Sequence, residues 1–582
     1  MESINITEKT GFLIKAILIF LIILHSFIVV KCAWLGDDAY ITFRVVDNFV
    51  NGYGLRWNIA ERVQAYTHPL WMLLISGVYF FSDNIYYTGI FTSLIISILS
   101  VSFFAFAFPR SIYSAIFGMM VLTTSKAFID YSTSGLENPL THFFIVIFFY
   151  IFLRWDNSVK TIFYLTLVTS LAALNRLDTI LIFLPSLTYS CLKLKQYRKS
   201  LKSLVIGFLP FIGWELFSLI YYGFLFPNTA YAKLNTGIPA FPLIKKSIFY
   251  FKDSLVFDPL TLTVILASLI LTFMKKAWRF LPLCIGILLY LLYIISIGGC
   301  FMSGRFFTAP LLCSLIIITC LCFRKYSKSW IFILVIILIV GFVNPKSPII
   351  SCFRNDLNSN VFYKHNKSIQ LDNGKLKNKM TPLCAEKFYP ISDEQNFYYP
   401  EAGFLRVISG KTPDPSTSPA IKMKIKKFRS SVQKEKLVDK ISKISVLRGS
   451  ETSFDIGMFI GRLGFAGGPS VHFVDAFALT DPLLARLPVE DKVNFIIGHF
   501  KRRIPSGYFK TLRTGEDFIR NKKLSLFYKK LSIITRGRIF DPQRLIEIIK
   551  MNLGFYSELT KYYDKEIHER SGKHIIIERE EH

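Results

Sequence analysis

Two adjacent carboxylates, Asp37 and Asp38, follow the first long apolar stretch of the 582-residue chain. Ionisable groups beside a bilayer cost free energy unless they are paired, hydrated or used in a function, so they are candidates for a functional site. A carboxylate in this position can act as a general base that takes a proton from a hydroxyl nucleophile. Two alternatives stay open here: a solvated loop with an incidental acidic pair, and an ion pair with Arg44. The choice depends on where the chain crosses the membrane.

The composition is that of a polytopic membrane protein. Hydrophobic residues make up 52% of the chain and aromatic residues 16%, and apolar stretches of membrane-spanning length recur as far as residue 343. The first stretch ends without a small-x-small cleavage site, so we expect it to be retained as a span. The stretch at 67–81 is short, and we expect it to lie along the membrane surface. We predict eleven spans, at 11–32, 86–107, 111–125, 138–153, 161–173, 179–192, 203–222, 255–274, 280–297, 308–323 and 329–343.

The net charge of +29 would suggest a nucleic-acid partner in a soluble protein. Here, however, basic residues recur in every second loop between the predicted spans, as in the cytoplasmic loops of membrane proteins. We therefore expect a cytoplasmic N-terminus, contacts with membrane lipids and no nucleic acid. The external face then carries Asp37, Asp38, Glu137, Arg176, Asp178, Lys233 and Arg305. No ATP or nucleotide sugar is available on that side of the membrane.

From residue 344 the composition becomes mixed and polar, which predicts one extracytoplasmic domain at 344–582. A β-type run at 470–474 and helical patterns near 483–499 and 542–562 indicate a mixed α/β fold. The basic run 422–443 is either a solvated helix face or a membrane-docking surface. The nine cysteines show no metal-binding spacing. Cys352 and Cys384 are expected to form a disulfide if the host has an oxidising envelope.

Several short stretches occur in the same order as in a known group of enzymes. The acidic pair after the first span and the surface helix led by His68-Pro69 resemble the opening of GT-C glycosyltransferases. More narrowly, they resemble the mycobacterial terminal arabinofuranosyltransferase (AftB) family and related bacterial arabinosyltransferases. One departure is Cys300, because that family tends to have an aspartate after the corresponding glycine pair. The stretches that carry the resemblance are 36–44, 49–71, 134–140, 226–233, 460–465, 474–488 and 498–508.

The resemblance implies a GT-C fold of about eleven transmembrane helices, with the catalytic domain at 1–343 and an external loop at 33–85. It implies a bacterial inner-membrane enzyme whose active site and C-terminal domain face the periplasm or exterior. This enzyme would move a sugar, D-arabinofuranose, from a polyprenyl-phosphate donor to a cell-envelope glycan or a surface protein. No cofactor or metal site is predicted, and a requirement for a divalent metal stays open. The rival interpretation is a transporter or flippase of lipid-linked sugars, which would place its charges at the bilayer midplane.

The resemblance also implies roles for the external charged residues. Asp37 is expected to be the general base, with Asp38 orienting it, binding a sugar hydroxyl or acting as the base itself. Glu137 is expected either to contact substrate or to stabilise the start of the following helix. Three cations are expected either to hold the donor phosphate or to extend to lipid headgroups, namely Arg176, Lys233 and Arg305.

Further contacts are expected from residues in the same stretches. In the membrane domain, the expected substrate contacts are Arg44, Trp57, Tyr66, His68 and Asn228. Trp57 could instead lie at the membrane interface, where tryptophan is enriched, and His68 could simply begin the surface helix. In the C-terminal domain, the candidates for acceptor contact are Asp475, Asp481 and His499. Hydrogen bonds that hold that domain together would explain these three equally well.

Overall fold

A computed structural model of the chain describes residues 8–234, 236–322, 328–344, 346–350, 391–416, 453–457, 460–561 and 563. This part of the protein is mostly helical. The first helices are α1 (Glu8–Cys32), α2 (Asp37–Val50), α3 (Pro69–Ser82), α4 (Ile85–Ala107), α5 (Ile112–Thr124), α6 (Lys126–Asp130), α7 (Asn138–Arg154), α8 (Val159–Asn175) and α9 (Ile180–Leu194). The next are α10 (Tyr197–Gly207), α11 (Leu209–Tyr221), α12 (Asn228–Leu234), α13 (Ala240–Phe257), α14 (Pro259–Met274), α15 (Leu281–Ser296), α16 (Thr308–Leu321) and α17 (Lys328–Val343).

The later part of the chain adds shorter elements. Its helices are α18 (Glu394–Ala402), α19 (Phe404–Ile408), α20 (Ile460–Gly467), α21 (Tyr508–Thr514), α22 (Lys522–Arg536) and α23 (Pro542–Asn552). Its strands β1 (Ser453–Gly457) and β2 (Val471–Asp475) pair in parallel, with Ser453 opposite Val471 and Gly457 opposite Asp475. Short 3-10 turns lie at Leu177–Thr179, Trp278–Phe280, Arg305–Phe307 and Leu484–Arg486.

Local sequence explains where many helices begin. The side chains of Asn84, Ser111 and Ser158 accept hydrogen bonds from backbone N–H groups in the first turns of α4, α5 and α8. Prolines occupy the first turns of α3, α7 and α14, where the missing N–H costs nothing. These capping signals and the apolar runs between them act locally, so the sequence predicts the helices well.

The apolar helices make this a multi-pass membrane protein. Four helical stretches in the described residues are long and apolar enough to cross a bilayer, at Phe12–Cys32, Ile85–Ala107, Leu177–Leu194 and Trp278–Ser296. Two bent pairs raise the number to six if each is one span, with angles of 48° between α10 and α11 and 105° between α13 and α14. Nine of the eleven predicted spans coincide with one helix each, but several of these helices have only 10–17 residues. The other two predicted spans, 203–222 and 255–274, each include the break of a bent pair. The number that crosses the bilayer, and the GT-C fold, stay predictions.

The C-terminal predictions have mixed outcomes. The predicted strand is confirmed as β2, and the predicted helix near 542–562 begins as α23 but is interrupted at Gly554, whose φ is +81°. The predicted helix near 483–499 is wrong. Only Leu484–Arg486 is helical there, since Pro488 lacks an N–H and the Asp491 side chain accepts from the N–H groups of Val493 and Asn494. Cys352, Cys384 and the basic run 422–443 lie outside the described residues.

Helix α20 packs directly on α2, and glycines make this approach possible. A Cβ atom at Gly461 would lie 1.9 Å from the backbone oxygen of Asp37, and one at Gly464 would lie 2.5 Å from the Trp57 ring. Arg44 on α2 then donates hydrogen bonds to the backbone oxygens of Gly464 and Val471, at 2.8 and 2.6 Å. The βαβ unit is therefore held against the helix that begins with the acidic pair.

Candidate active site

Glu137 lies at the centre of the densest charged cluster on the predicted external side. It immediately precedes α7 and is 2% exposed. Its carboxylate accepts hydrogen bonds from Arg305 Nη2 at 2.9 and 3.1 Å and from Arg176 Nη1 at 3.0 Å. His68 Nδ1 lies 3.4 Å from Glu137 Oε2. The cluster therefore joins the start of α7, the end of α8, the turn before α16 and the residue that precedes α3.

Arg176 is held in place on several sides. Its Nε and Nη2 atoms donate to Asp178 at 2.7 and 2.8 Å, and its guanidinium lies 4.3 Å from the centre of the Phe306 ring. The Tyr290 hydroxyl also donates to Asp178, at 3.4 Å. With both ends of its guanidinium engaged by carboxylates, Arg176 has little donor capacity left for a ligand.

Arg305 retains more donor capacity than Arg176. Its Nη2 atom donates to Glu137, but its buried Nε atom has no hydrogen-bond acceptor in the described part of the protein. A buried, unsatisfied donor on a permanent cation costs free energy unless a ligand or water completes it. Arg305 is therefore the member of the cluster that is best prepared to receive an anionic group.

The electrostatics of this cluster favour an ionised Glu137 and a neutral His68. Burial by itself would raise the pKa of Glu137, but the positive charges of Arg305 and Arg176 outweigh it and hold that pKa well below its usual range. Burial lowers the pKa of His68 to about 4, although the negative charge of Glu137 partly opposes this shift. Because His68 is neutral at pH 7, the two guanidinium groups are what stabilises the carboxylate. Neutral His68 is fixed by Thr42, whose Oγ1 lies 2.7 Å from His68 Nε2.

The two residues of the acidic pair have different environments. Both oxygens of Asp37 accept backbone hydrogen bonds from α20, one from Gly461 at 3.0 Å and one from Arg462 at 2.9 Å. Burial raises the pKa of Asp37, while these two N–H groups and the Arg462 charge oppose the rise. Asp38 has no hydrogen bond or ion pair to any other residue that the structure describes. Of the two carboxylates, Asp38 is the one free to receive a proton from a ligand.

Asp38 faces the charged cluster. Its negative charge acts to raise the pKa values of His68, Arg305 and His499. Lys233, an exposed residue on α12, acts on His499 and Cys300 and makes no ion pair among the described residues. Asp38 and Lys233 therefore both lie near His499, and Arg305 and Lys233 both lie near Cys300, so one carboxylate and two cations share neighbouring residues.

Sequence reasoning missed a third acid beside this region, Glu394 at the start of α18. Two neighbours of Glu394 fix its position. Ser392 accepts from Ser303 N at 2.9 Å in the loop that leads to Arg305, and Gln395 donates to the backbone oxygen of Cys32 at 3.4 Å, close to the start of α2. Burial raises the pKa of Glu394 to about 7, and the negative charges of Asp38 and Asp37 add to this rise. No sequence pattern marks Glu394, because it is brought to α2 by contacts between distant parts of the chain.

The departure at Cys300 lies in the same loop. Gly298 and Gly299 both have positive φ, at +85° and +83°, and a Cβ at Gly299 would lie 2.6 Å from the Tyr250 Cβ atom. Cys300 is buried, and this burial raises the pKa of its thiol. The loop geometry thus requires the glycines, whereas position 300 here supplies no carboxylate. In the described residues no group of three or more potential ligands is arranged to hold a metal ion.

Several predicted contact residues instead join the C-terminal region to the membrane domain. Trp57 is fully buried between Arg44 and the Phe473 ring, so its side chain is covered by protein. Asn228 donates to the backbone oxygens of Ala478, Leu479 and Asp481, at 3.0–3.1 Å. Tyr66 is buried with its hydroxyl 2.8 Å from that of Tyr222.

The acceptor candidates also divide into two groups. The Asp475 carboxylate accepts from three backbone N–H groups, and Asp481 accepts from Leu483 N, Leu484 N and the Tyr508 hydroxyl. These contacts stabilise the turns that follow β2. His499 is different. Its ring packs edge-on against the Phe301 ring, with 4.3 Å between the ring centres, and the negative charge of Asp38 acts to raise its pKa. His499 is therefore the C-terminal candidate that the structure brings to the charged region.

Comparison with known proteins identifies two relatives of this chain. A terminal beta-(1->2)-arabinofuranosyltransferase of Mycobacterium tuberculosis is 26% identical over 324 residues, covering 48% of this chain and 51% of the relative. A protein of the same name from Corynebacterium glutamicum is 25% identical over 348 residues, covering 51% and 49%. The resemblance predicted from the sequence is confirmed. The chain spans about half the length of these curated relatives. No family model and no solved structure matches it.

The Glu137 cluster predicts a specific loss of stability. Glu137→Gln preserves shape but leaves Arg305 without a compensating carboxylate and Arg176 with Asp178 alone, and breaking a buried pair in this way costs about 3–5 kcal/mol. The midpoint of thermal unfolding in detergent should therefore fall clearly. The matched control is Glu490→Gln, since the partner of Glu490 is Lys501, whose side chain is 56% exposed, and surface pairs contribute at most about 1 kcal/mol. Equal midpoints for the two variants would contradict the assignment.

Proposed function

We propose that this protein is a GT-C glycosyltransferase that transfers a sugar from a polyprenyl-phosphate donor to an acceptor hydroxyl on the external side of the membrane. The observation that carries this proposal is the Asp38 carboxylate, which has no hydrogen-bond or ion-pair partner among the described residues and whose charge acts on Arg305 and, like that of Lys233, on His499. A transfer reaction needs a proton acceptor for the hydroxyl and cations for the departing phosphate, and this region offers both. Arabinofuranose is the proposed sugar, since both relatives are named as arabinofuranosyltransferases.

In the proposed reaction Asp38 takes the proton from the acceptor hydroxyl as its oxygen attacks the anomeric carbon of the donor sugar. The bond between that carbon and the phosphate oxygen breaks, and the lipid phosphate leaves with the electron pair. Arg305, through its free Nε atom, and Lys233 would stabilise the negative charge of this phosphate. The products are the glycosylated acceptor, a lipid phosphate and a protonated Asp38.

In this proposal Asp37 has a structural role, and not the role of general base that the resemblance implies. Its two oxygens already accept N–H groups from the first turn of α20, so it positions that helix, and with it the C-terminal region, over the acidic pair. Asp38 is the proposed general base. The acceptor would approach from the side of Phe301 and His499, where the C-terminal region meets the loop that carries Arg305. The acceptor is proposed to be a cell-envelope glycan or a surface protein.

Replacing Asp37 or Asp38 by asparagine should therefore affect turnover and the unfolding midpoint differently. Asp38→Asn should reduce turnover by roughly 10²- to 10⁴-fold, the usual effect of losing a general base, while the unfolding midpoint is unchanged. Asp37→Asn keeps one acceptor oxygen, so it should lower the unfolding midpoint and reduce turnover less than Asp38→Asn. The assay is transfer by purified protein in liposomes from synthetic polyprenyl-phosphate arabinose to an arabinan oligosaccharide, followed by mass spectrometry. Near-parental turnover of Asp38→Asn would refute its assignment as the base.

The same assay separates an enzyme from a flippase. Movement of donor across the bilayer without a new glycosidic bond would favour a flippase instead.

Glu394 should make donor binding dependent on pH. With its pKa raised to about 7, Glu394 carries a proton below that pH and a negative charge above it. Its ionisation beside Asp38 would repel the donor phosphate, so the KM for the donor should rise as the pH increases through 7, and Glu394→Gln should abolish that rise. Glu401→Gln is the matched control, because Glu401 lies on the same helix with a side chain 64% exposed. The same pH dependence in Glu394→Gln as in the parent would exclude this role.

The proposed orientation predicts which surfaces are accessible from outside. Ser506, in the C-terminal region, and Lys199, on α10, are both exposed, and they lie on opposite sides of the membrane in the proposed topology. A membrane-impermeant thiol reagent added to intact cells should label Ser506→Cys but not Lys199→Cys, with the parental protein as the background. Lysed cells should label both. Labelling of Lys199→Cys alone in intact cells would reverse the topology.

A further inference from the structure

Helix α23 has an exposed apolar face, although it is neither one of the predicted membrane spans nor part of the candidate site. At 100° per residue, the exposed side chains of Leu545, Ile546, Ile549 and Leu553 point to one side of the helix. Phe540 just before the helix and Phe555 just after it are 77% and 69% exposed. The four side chains cover about two turns of the chain, and the two phenylalanines add exposed apolar surface beyond each end, which is more than scattered exposed apolar residues would give.

The other faces of α23 have different environments. Arg544, Glu547 and Ile548 are buried against the neighbouring parts of the protein. Gln543 and Lys550 are exposed on the side between the buried face and the apolar face. A helix with one face on protein, one apolar face and one polar face has the pattern of helices that lie in the membrane interface.

Specific contacts fix α23 to the end of α11. Arg544 donates to the backbone oxygens of Ile220 and Tyr221, at 2.8 and 2.9 Å, and so completes carbonyl groups that the helix end leaves free. Asn552 Nδ2 donates to the backbone oxygen of Gly223 at 2.8 Å. A Cβ at Gly223 would lie 2.2 Å from the Ile534 side chain, so the chain leaving α11 packs tightly against α22.

Helix α11, to whose end α23 is bonded, carries an exposed apolar stripe of its own. Leu209, Ile212, Leu216 and Ile220 lie along one side of α11 and are all exposed, as expected for residues that face lipid. The stripe continues into Leu225 and Phe226, just beyond the end of α11. Since α23 is bonded to that same end, its apolar face lies next to the level at which α11 leaves the bilayer.

We propose that α23 is a membrane-surface anchor, whose residues Leu545, Ile546, Ile549 and Leu553 insert into the leaflet on the candidate-site side of the bilayer. The occupant of this face is lipid, because α23 is bonded to the end of α11, whose exposed apolar stripe is of the kind that faces lipid. Lys550, on the polar side, would extend to the headgroups. Phe540 and Phe555 would insert at the two ends of the helix. The anchor fixes the α22–α23 pair at the membrane surface, independently of whether the proposed transfer reaction is correct.

Spin labels on the full-length protein in phosphatidylcholine–phosphatidylglycerol liposomes test the anchor directly. The labelled variants are Leu553→Cys and Ile549→Cys, with Gln543→Cys on the same helix as the control and the parental protein as background for the native cysteines. In power-saturation measurements, the labels at positions 553 and 549 should be relaxed severalfold more by oxygen than by a water-soluble nickel chelate. The label at position 543 should be relaxed more by the nickel chelate than by oxygen.

Two results would overturn the proposal. Strong relaxation by the nickel chelate at Leu553 and Ile549 would show that this face is in water. Weak relaxation by both oxygen and nickel at these two positions would show that protein covers it, either a second copy or the segment after residue 563. Unfolding midpoints measured for each labelled variant exclude misfolding as the cause, and agreement between Leu553 and Ile549 excludes an effect of one label.

Discussion

The buried carboxylate of Glu137, held between two guanidinium groups, is the interaction on which the arrangement of the candidate site depends. In a low-dielectric interior neither a carboxylate nor a guanidinium is tolerated alone, so each requires the others in place. Glu137 immediately precedes α7, Arg176 immediately follows α8 and Arg305 lies in the turn before α16, so their contacts bring three chain segments to one point. Because Glu137 uses only part of the Arg305 guanidinium, the cluster also contains a donor, Arg305 Nε, that no acceptor in the described residues satisfies.

The same cluster explains why two neighbouring aspartates differ. Asp37 accepts N–H groups from the first turn of α20 on both of its oxygens, whereas Asp38 makes no such bond to a described residue and its charge acts on His68 and Arg305. Asp37 therefore connects the C-terminal region to α2, whereas the Asp38 carboxylate is available for the proposed proton transfer. Glu394 adds a titratable carboxyl beside them, and it comes from a helix that is held to both α2 and the loop before Arg305.

The features that the sequence predicts are those that depend on local pattern. Apolar runs and capping residues predict a helix at each expected span, and the alternating run at 470–474 predicts β2. The alternation of basic loops also predicts that Glu137, Arg176 and Arg305 lie on one side of the membrane. The reverse case is 483–499, where an apolar helical pattern is overridden by Pro488 and by the Asp491 turn. Features set by distant contacts were not predictable in this way. Trp57 is covered by β2, and Glu394 has no pattern around it that points to Asp38.

The central claim is that Asp38 receives the acceptor proton while Arg305 and Lys233 hold the donor phosphate. The most direct measurement is an experimental structure of the protein in a lipid nanodisc with a non-transferable phosphonate analogue of polyprenyl-phosphate arabinose. The account predicts a phosphonate oxygen within about 3 Å of Arg305 Nε or Lys233 Nζ, and an anomeric carbon whose open face is turned toward Asp38. A phosphonate bound away from both cations, or an anomeric carbon whose open face is turned toward another carboxylate such as Glu394, would contradict it.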